Sequence, residues 1–109
     1  MSEDEIYLAI GEILFSIAPD EARFVVVDAE ISKGNDHCKL LFDYIDADGK
    51  KDWFSPPSSK VDSDLFDCLL LLKKEYSEKG MVGDFPLWVG CELSFDVERS
   101  KLSIDFRYD

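Results

Sequence analysis

The sequence predicts an α+β fold: an antiparallel sheet of about five strands with two helices packed on one face, in the order α-β-β-β-α-β-β. Three observations carry this. Apolar residues recur at helical spacing near the start and again past the middle of the chain. Apolar and polar residues alternate along the segment from Phe24 and, without a break, along the segment from Val89. Clusters of Gly, Pro, Asp, Asn and Ser punctuate these runs at the places where the chain must turn. At 109 residues the chain has the size of one domain, 1–109, long enough to bury a core. No repeat, low-complexity run or linker divides it.

The first helix is announced by Ser2-Glu3-Asp4-Glu5, the capping-box spacing in which a hydroxyl and a carboxylate each satisfy an orphan amide. Ile6, Ile10, Ile13, Leu14 and Ile17 form its apolar stripe, and Pro19 forces its end at Ala18. A strand follows from Phe24 to Ile31, with Val25, Val27, Ala29 and Ile31 on one face and Phe24, Val26, Asp28 and Glu30 on the other. The turn residues Ser32-Lys33-Gly34-Asn35-Asp36 lead into a second strand from about His37 to Ile45, making a hairpin. Asp46-Ala47-Asp48-Gly49 is a further turn, and a short third strand over Lys51 to Ser55 ends at Pro56-Pro57.

Asp62, Ser63 and Asp64 are the candidate N-caps of a second helix carrying Leu65, Phe66, Leu69, Leu72 and Tyr76, closed by Gly80. Leu70 and Leu71 widen its apolar arc, so it is expected between the sheet and the first helix. After a loop from Gly80 to Pro86, Val89, Cys91, Leu93, Phe95 and Val97 alternate against Gly90, Glu92, Ser94, Asp96 and Glu98. Leu102, Ile104, Phe106 and Tyr108 then alternate against Lys101, Ser103, Asp105 and Arg107. The short Glu98-Arg99-Ser100 link makes these two strands a hairpin.

Charge narrows the function. Asp and Glu number 24 against 12 Lys and Arg, a formal net charge of -12, while the hydrophobic content of 46% is that of a folded protein. Nucleic acids and anionic membranes are bound mainly by neutralising their negative charge with Lys and Arg, so neither is an expected partner. A basic protein is the natural complement. The odd set Cys38, Cys68 and Cys91 lacks a Cys-x-x-Cys spacing and is read as reduced core thiols. With no basic start leading into an apolar stretch, and no apolar run longer than Cys68 to Leu72, the expected location is the cytoplasm.

The residues of chemistry do not assemble. His37 stands alone beside a turn with no nucleophile and orienting partner, and three scattered Cys offer no zinc spacing. Asp46 to Lys50 begins like a calcium loop, but the later oxygen ligands and closing Glu do not follow. Gly34, Gly80, Gly83 and Gly90 form no phosphate-cradling pattern. The chain is therefore read as a non-enzyme without metal or cofactor. What remains is the outer face of the sheet, where the alternation places Asp28, Glu30, Asp43, Glu92, Asp96 and Asp105, with Trp88 at one end and only Lys39, Lys101 and Arg107 opposed. These acids and Trp88 are the candidate partner-binding residues. Trp53 and Phe54 either add an aromatic anchor or seal the sheet edge from within.

The layout resembles the YezG-like family of bacterial immunity proteins, antitoxins of polymorphic and LXG toxin systems. The resemblance rests on the acidic first helix, the Asp28-Ala29-Glu30-Ile31-Ser32-Lys33-Gly34 stretch, a helix ending near Lys79-Gly80, and the close from Trp88 through Phe95 and Lys101 to Asp109. It implies inhibition by direct binding of a toxin's C-terminal domain, commonly a nuclease, with no cofactor, by a monomer or weak homodimer. Arg107 departs from the pattern, which tolerates another acid there, and Ser55 to Lys60 is unusually rich in Pro and Ser. The competing expectation is a small acidic secretion chaperone that holds an effector segment.

Overall fold

The structure, a computed structural model, describes residues 2–32, 37–78 and 89–107. Among these, the elements are α1 (Glu3–Ile17), β1 (Ala22–Ile31), β2 (Cys38–Asp46), β3 (Lys51–Trp53), α2 (Ser59–Glu78), β4 (Gly90–Asp96) and β5 (Lys101–Arg107). The fold is the expected α+β order.

The strands form one antiparallel sheet in the order β3-β2-β1-β4-β5, with β1 at the centre. Its register sets Asp28 opposite Leu41 on one side and Glu92 on the other, and Glu92 opposite Asp105. The capping box at Ser2 and Glu5 is formed in both directions. Hydrogen bonding from Ser2 holds the Glu5 carboxyl below its usual range. Ile6, Ile10, Leu14 and Ile17 bury the predicted stripe of α1, while Ile13 is half-buried against the same core. From α2 come Leu65, Leu69 and Leu72, and from the sheet Val25, Val27, Ala29, Cys91 and Leu93, all without solvent access. Each large aliphatic side chain so buried contributes on the order of 1.5–3 kcal/mol.

Three expectations are corrected. The second helix begins at Ser59, ahead of the candidate caps Asp62, Ser63 and Asp64. Pro56-Pro57 ends the preceding extended segment, and the Val61 amide already bonds the Ser58 carbonyl at 3.2 Å, so the helical turn closes as soon as the prolines are passed. The third strand stops at Trp53 rather than Ser55. Finally, α2 lies beside α1 and not beneath it. Gly11 of α1 rests directly on the sheet, where a Cβ would meet the Phe95 ring at 3.4 Å, and Phe15 packs edge-on to Phe95 at 6.4 Å between centroids. The wide apolar arc of α2 is used sideways, against α1 as well as the core, and Leu71 stays partly exposed.

The Asp46–Lys50 segment is a turn. Asp46 Oδ1 accepts from the Asp48 and Lys50 amides, both at 2.9 Å, and Gly49 takes the positive φ of 85° that its position requires. Trp88, the loop from 81 to 86, Gly80 and the turn residues 33–36 lie outside the described residues, as do the side chain of Tyr76 and all of Tyr108. Among the described residues no helix is long and apolar enough to cross a membrane.

Candidate interaction surface

The alternation of β1, β2, β4 and β5 sends one set of side chains away from the helices, and register lines them up in rows. One row runs Lys39, Glu30, Gly90, Arg107; the next runs Leu41, Asp28, Glu92, Asp105. A third holds Trp53, Asp43, Val26, Ser94 and Ser103, and a fourth Lys51, Ile45, Phe24, Asp96 and Lys101. All six carboxylates singled out from the sequence, Asp28, Glu30, Asp43, Glu92, Asp96 and Asp105, thus share this outer face.

They are not equivalent. Arg107 crosses from β5 to β1 and grips Asp28 through two bonds, Nη2 to Oδ1 at 2.8 Å and Nη1 to Oδ2 at 3.2 Å, while Nη2 also donates to the Ala29 carbonyl at 3.0 Å. The hydrogen bonds to Asp28 raise the guanidinium pKa further above its ordinary value. The crossing depends on Gly90, because a Cβ there would lie 2.7 Å from the Ala29 carbonyl oxygen and 2.9 Å from Arg107 Nη2. Asp96 is held at the far end of β4. Its Oδ1 accepts from the Arg99 amide at 3.0 Å and lies 3.8 Å from Arg23 Nε, which is itself 3.1 Å from Glu98. Lys51 lies 3.9 Å from Asp43. Among the described residues, Glu30, Glu92 and Asp105 are the acids of this face that form no ion pair.

Less of the negative charge is unopposed than the sequence suggests. Arg107 is a direct partner of one acid, and Arg23 and Lys51, absent from the expected set of opposing cations, approach three more. Arg23 sits where the β1–β2 register shifts between Ala22 and Phe24, an irregularity that strict alternation cannot show. The face also has an apolar end. Trp53 is 72% exposed and Leu41 53% exposed, and both line a hollow of about 390 Å³ with Asp43 between them. Val26, in the next strand, is only 7% exposed although it lies on this side. Of the two aromatics before Pro56, Trp53 is thus the outward one. Phe54 turns to the core side, edge-on to Phe42 at 5.9 Å and Tyr44 at 6.0 Å.

The cysteines are free, Cys91 and Cys68 buried and Cys38 half-buried. Burial pushes the Cys91 thiol up to about 12 and raises those of Cys68 and Cys38, with Asp64 and Asp67 adding to the first of these two and Asp62 to the second. None is poised as a thiolate nucleophile. His37 is exposed just before β2. Among the described residues no group of three or more His, Cys, Asp and Glu is gathered for a metal ion.

The outer face thus combines an exposed apolar and aromatic end, Trp53 and Leu41, with rows of carboxylates. Comparison with protein-family models gives no match for the chain. A search of curated proteins gives no significant match either.

Proposed function

We propose that the protein is a cytoplasmic, non-enzymatic immunity protein of the YezG-like kind, which binds the basic C-terminal domain of a cognate toxin and blocks it. The reading rests on one observation: six carboxylates share the outer sheet face, with Trp53 and Leu41 exposed at its end. A nuclease must present a positive groove to hold phosphates. An acidic sheet face can fill that groove, excluding substrate by bulk while close charge pairs add coupling of roughly 1.5–7 kcal/mol each.

The roles divide by geometry. Glu30, Glu92 and Asp105, without ion pairs, supply the field that steers the partner and the charges that meet its Lys and Arg. Asp28, gripped by Arg107, and Asp96, which accepts from the Arg99 amide, hold the face in shape. Trp53 is the anchor, a large and stiff side chain that loses little conformational freedom on docking.

The test starts from the gene immediately upstream: where it encodes a toxin with a short basic C-terminal domain, that domain is co-purified with the chain and association is followed by surface plasmon resonance, and an upstream gene of any other kind counts against the reading. A one-to-one complex with an inactive toxin domain is expected. W53A should weaken binding by about 2 kcal/mol, mostly in dissociation, and E92K should slow association and flatten its salt dependence. Unchanged kinetics in both variants would exclude this face. Binding of an unfolded effector segment instead of a folded domain would transfer the protein to the secretion chaperones.

A further inference from the structure

The two edges of the sheet differ. At one end β3 is three residues long and is stopped by Pro56-Pro57, a protected edge. At the other, β5 is seven residues long, contains no proline, and among the described residues has β4 on one side only. An open edge of this length presents unpaired amides and carbonyls to any strand that fits.

Beside this edge lies an apolar groove of about 660 Å³ between α1 and the β4–β5 hairpin, lined by Tyr7, Leu8, Phe15, Phe95 and Leu102. Leu8 is 68% exposed and Phe15 57% exposed, the two exposed large apolar side chains of α1. The open edge and the bare flank of the helix are therefore adjacent.

We infer that this edge is a homodimer interface in which β5 pairs antiparallel with β5 of a second copy about a two-fold axis at Ser103, joining two five-stranded sheets into one. Charge selects both the occupant and the register. Opposed residues in an antiparallel pair share a face, so the axis must pass through a residue. With Ser103 on the axis, Lys101 of each copy faces Asp105 of the other, giving two reciprocal ion pairs, and Leu102 faces Ile104. Moving the axis to Ile104 sets Lys101 against Arg107, and moving it to Asp105 sets the two Asp105 side by side. An axis at Leu102 leaves three strand residues in register. Lys101 and Asp105 are both exposed and form no ion pair among the described residues, so both are available.

The same operation sets Leu102, in the lining of the groove, opposite Ile104 of the second copy, so the apolar side of the edge is paired twice across the axis. Such a contact is isologous and closes on itself, as a two-fold interface must. The net charge of -12 on each copy opposes association, but repulsion between exposed charges more than about 8 Å apart is largely screened at physiological ionic strength. The inference does not rest on the proposed toxin binding; of the three acids assigned to the toxin it engages Asp105 alone, and it leaves Glu30 and Glu92 uncovered.

Sedimentation equilibrium of the purified chain tests it without any partner. Mass should rise with concentration from 12.4 kDa toward twice that value. K101E, which replaces two attractive pairs with two repulsive ones, should raise the dissociation constant by roughly tenfold or more, and K101E/D105K should restore it. In S103C, mild oxidation should give a crosslinked dimer that wild type does not give, and S103C/K101E should crosslink less. Circular dichroism of each variant confirms folding. A wild-type chain that stays monomeric up to about 1 mM, a double variant no better than K101E, or an S103C that does not crosslink would overturn the inference.

Discussion

On the inner side of β1 and β4, Val25, Val27, Ala29, Cys91 and Leu93 are sealed from water, whereas one residue along, on the outer side, Glu30 and Glu92 are exposed and Asp28 is half-buried. The two sets share the same backbone and the same hydrogen-bond ladder. The inner residues answer to volume, because a close-packed core registers the loss of even one methylene. The outer residues answer to charge, and water solvates most alternatives equally well. Stability should therefore reside on the inner side and recognition on the outer, with Gly90 and Arg107 as the place where the outer face also becomes structural.

The sharpest contrast should come from Leu93→Ala. It removes a fully buried side chain of the core cluster and is expected to cost about 2–5 kcal/mol in urea unfolding. A loss under 1 kcal/mol would mean that the inner face is not the core of the protein.

Alkaline pH probes the same side. The folded Cys91 thiol titrates near 12 against an ordinary value of 9.0 because it is buried. A folded pKa raised in this way gives stability that is complete below about pH 9 and is lost as pH climbs toward about 12, falling by on the order of 1.4 kcal/mol for each pH unit in that window. Cys91→Ala should flatten this part of the pH–stability curve, and an unchanged curve would place the thiol in water.

Gly90→Ala tests the boundary between the faces. The new methyl would meet the Ala29 carbonyl oxygen and the Arg107 guanidinium, so a loss of about 1–3 kcal/mol is expected. A neutral result would show that Arg107 does not need the space. Arg107→Ala should cost less, about 1 kcal/mol or below, since both members of the pair are roughly two-fifths exposed and solvent screens them. A much larger loss would make the outer face a second core.

The legibility of the chain follows the same division. The capping box, the stripe of α1 and the alternation of β4 and β5 were readable because helix and strand periods are local properties of the backbone. So was the assignment of the six acids to one face, since a strand's alternation fixes the side of every residue once one is known. The start of α2 was misplaced because three capping residues at 62–64 are a stronger local signal than the simpler effect of two prolines at 56 and 57. The ion pairs were invisible: Arg107 meets Asp28 from 79 positions away, and Arg23 lies far along the chain from Glu98, which it approaches to 3.1 Å. Trp53 offered two readings, and only the exit of its side chain on the Asp43 side chose the exposed one.

From the residues alone came the fold class, the order of elements, the identity of the core stripes and the sidedness of the acids, all set by periods of 2 and 3.6 residues that no distant contact can alter. Tertiary structure decided that β1 pairs with β4, that α2 lies beside α1, that β5 is the edge strand among the described residues, and which carboxylates already meet a cation. Those outcomes depend on which surfaces meet across long stretches of chain, where loop closure and packing compete, and local pattern carries no information about the winner.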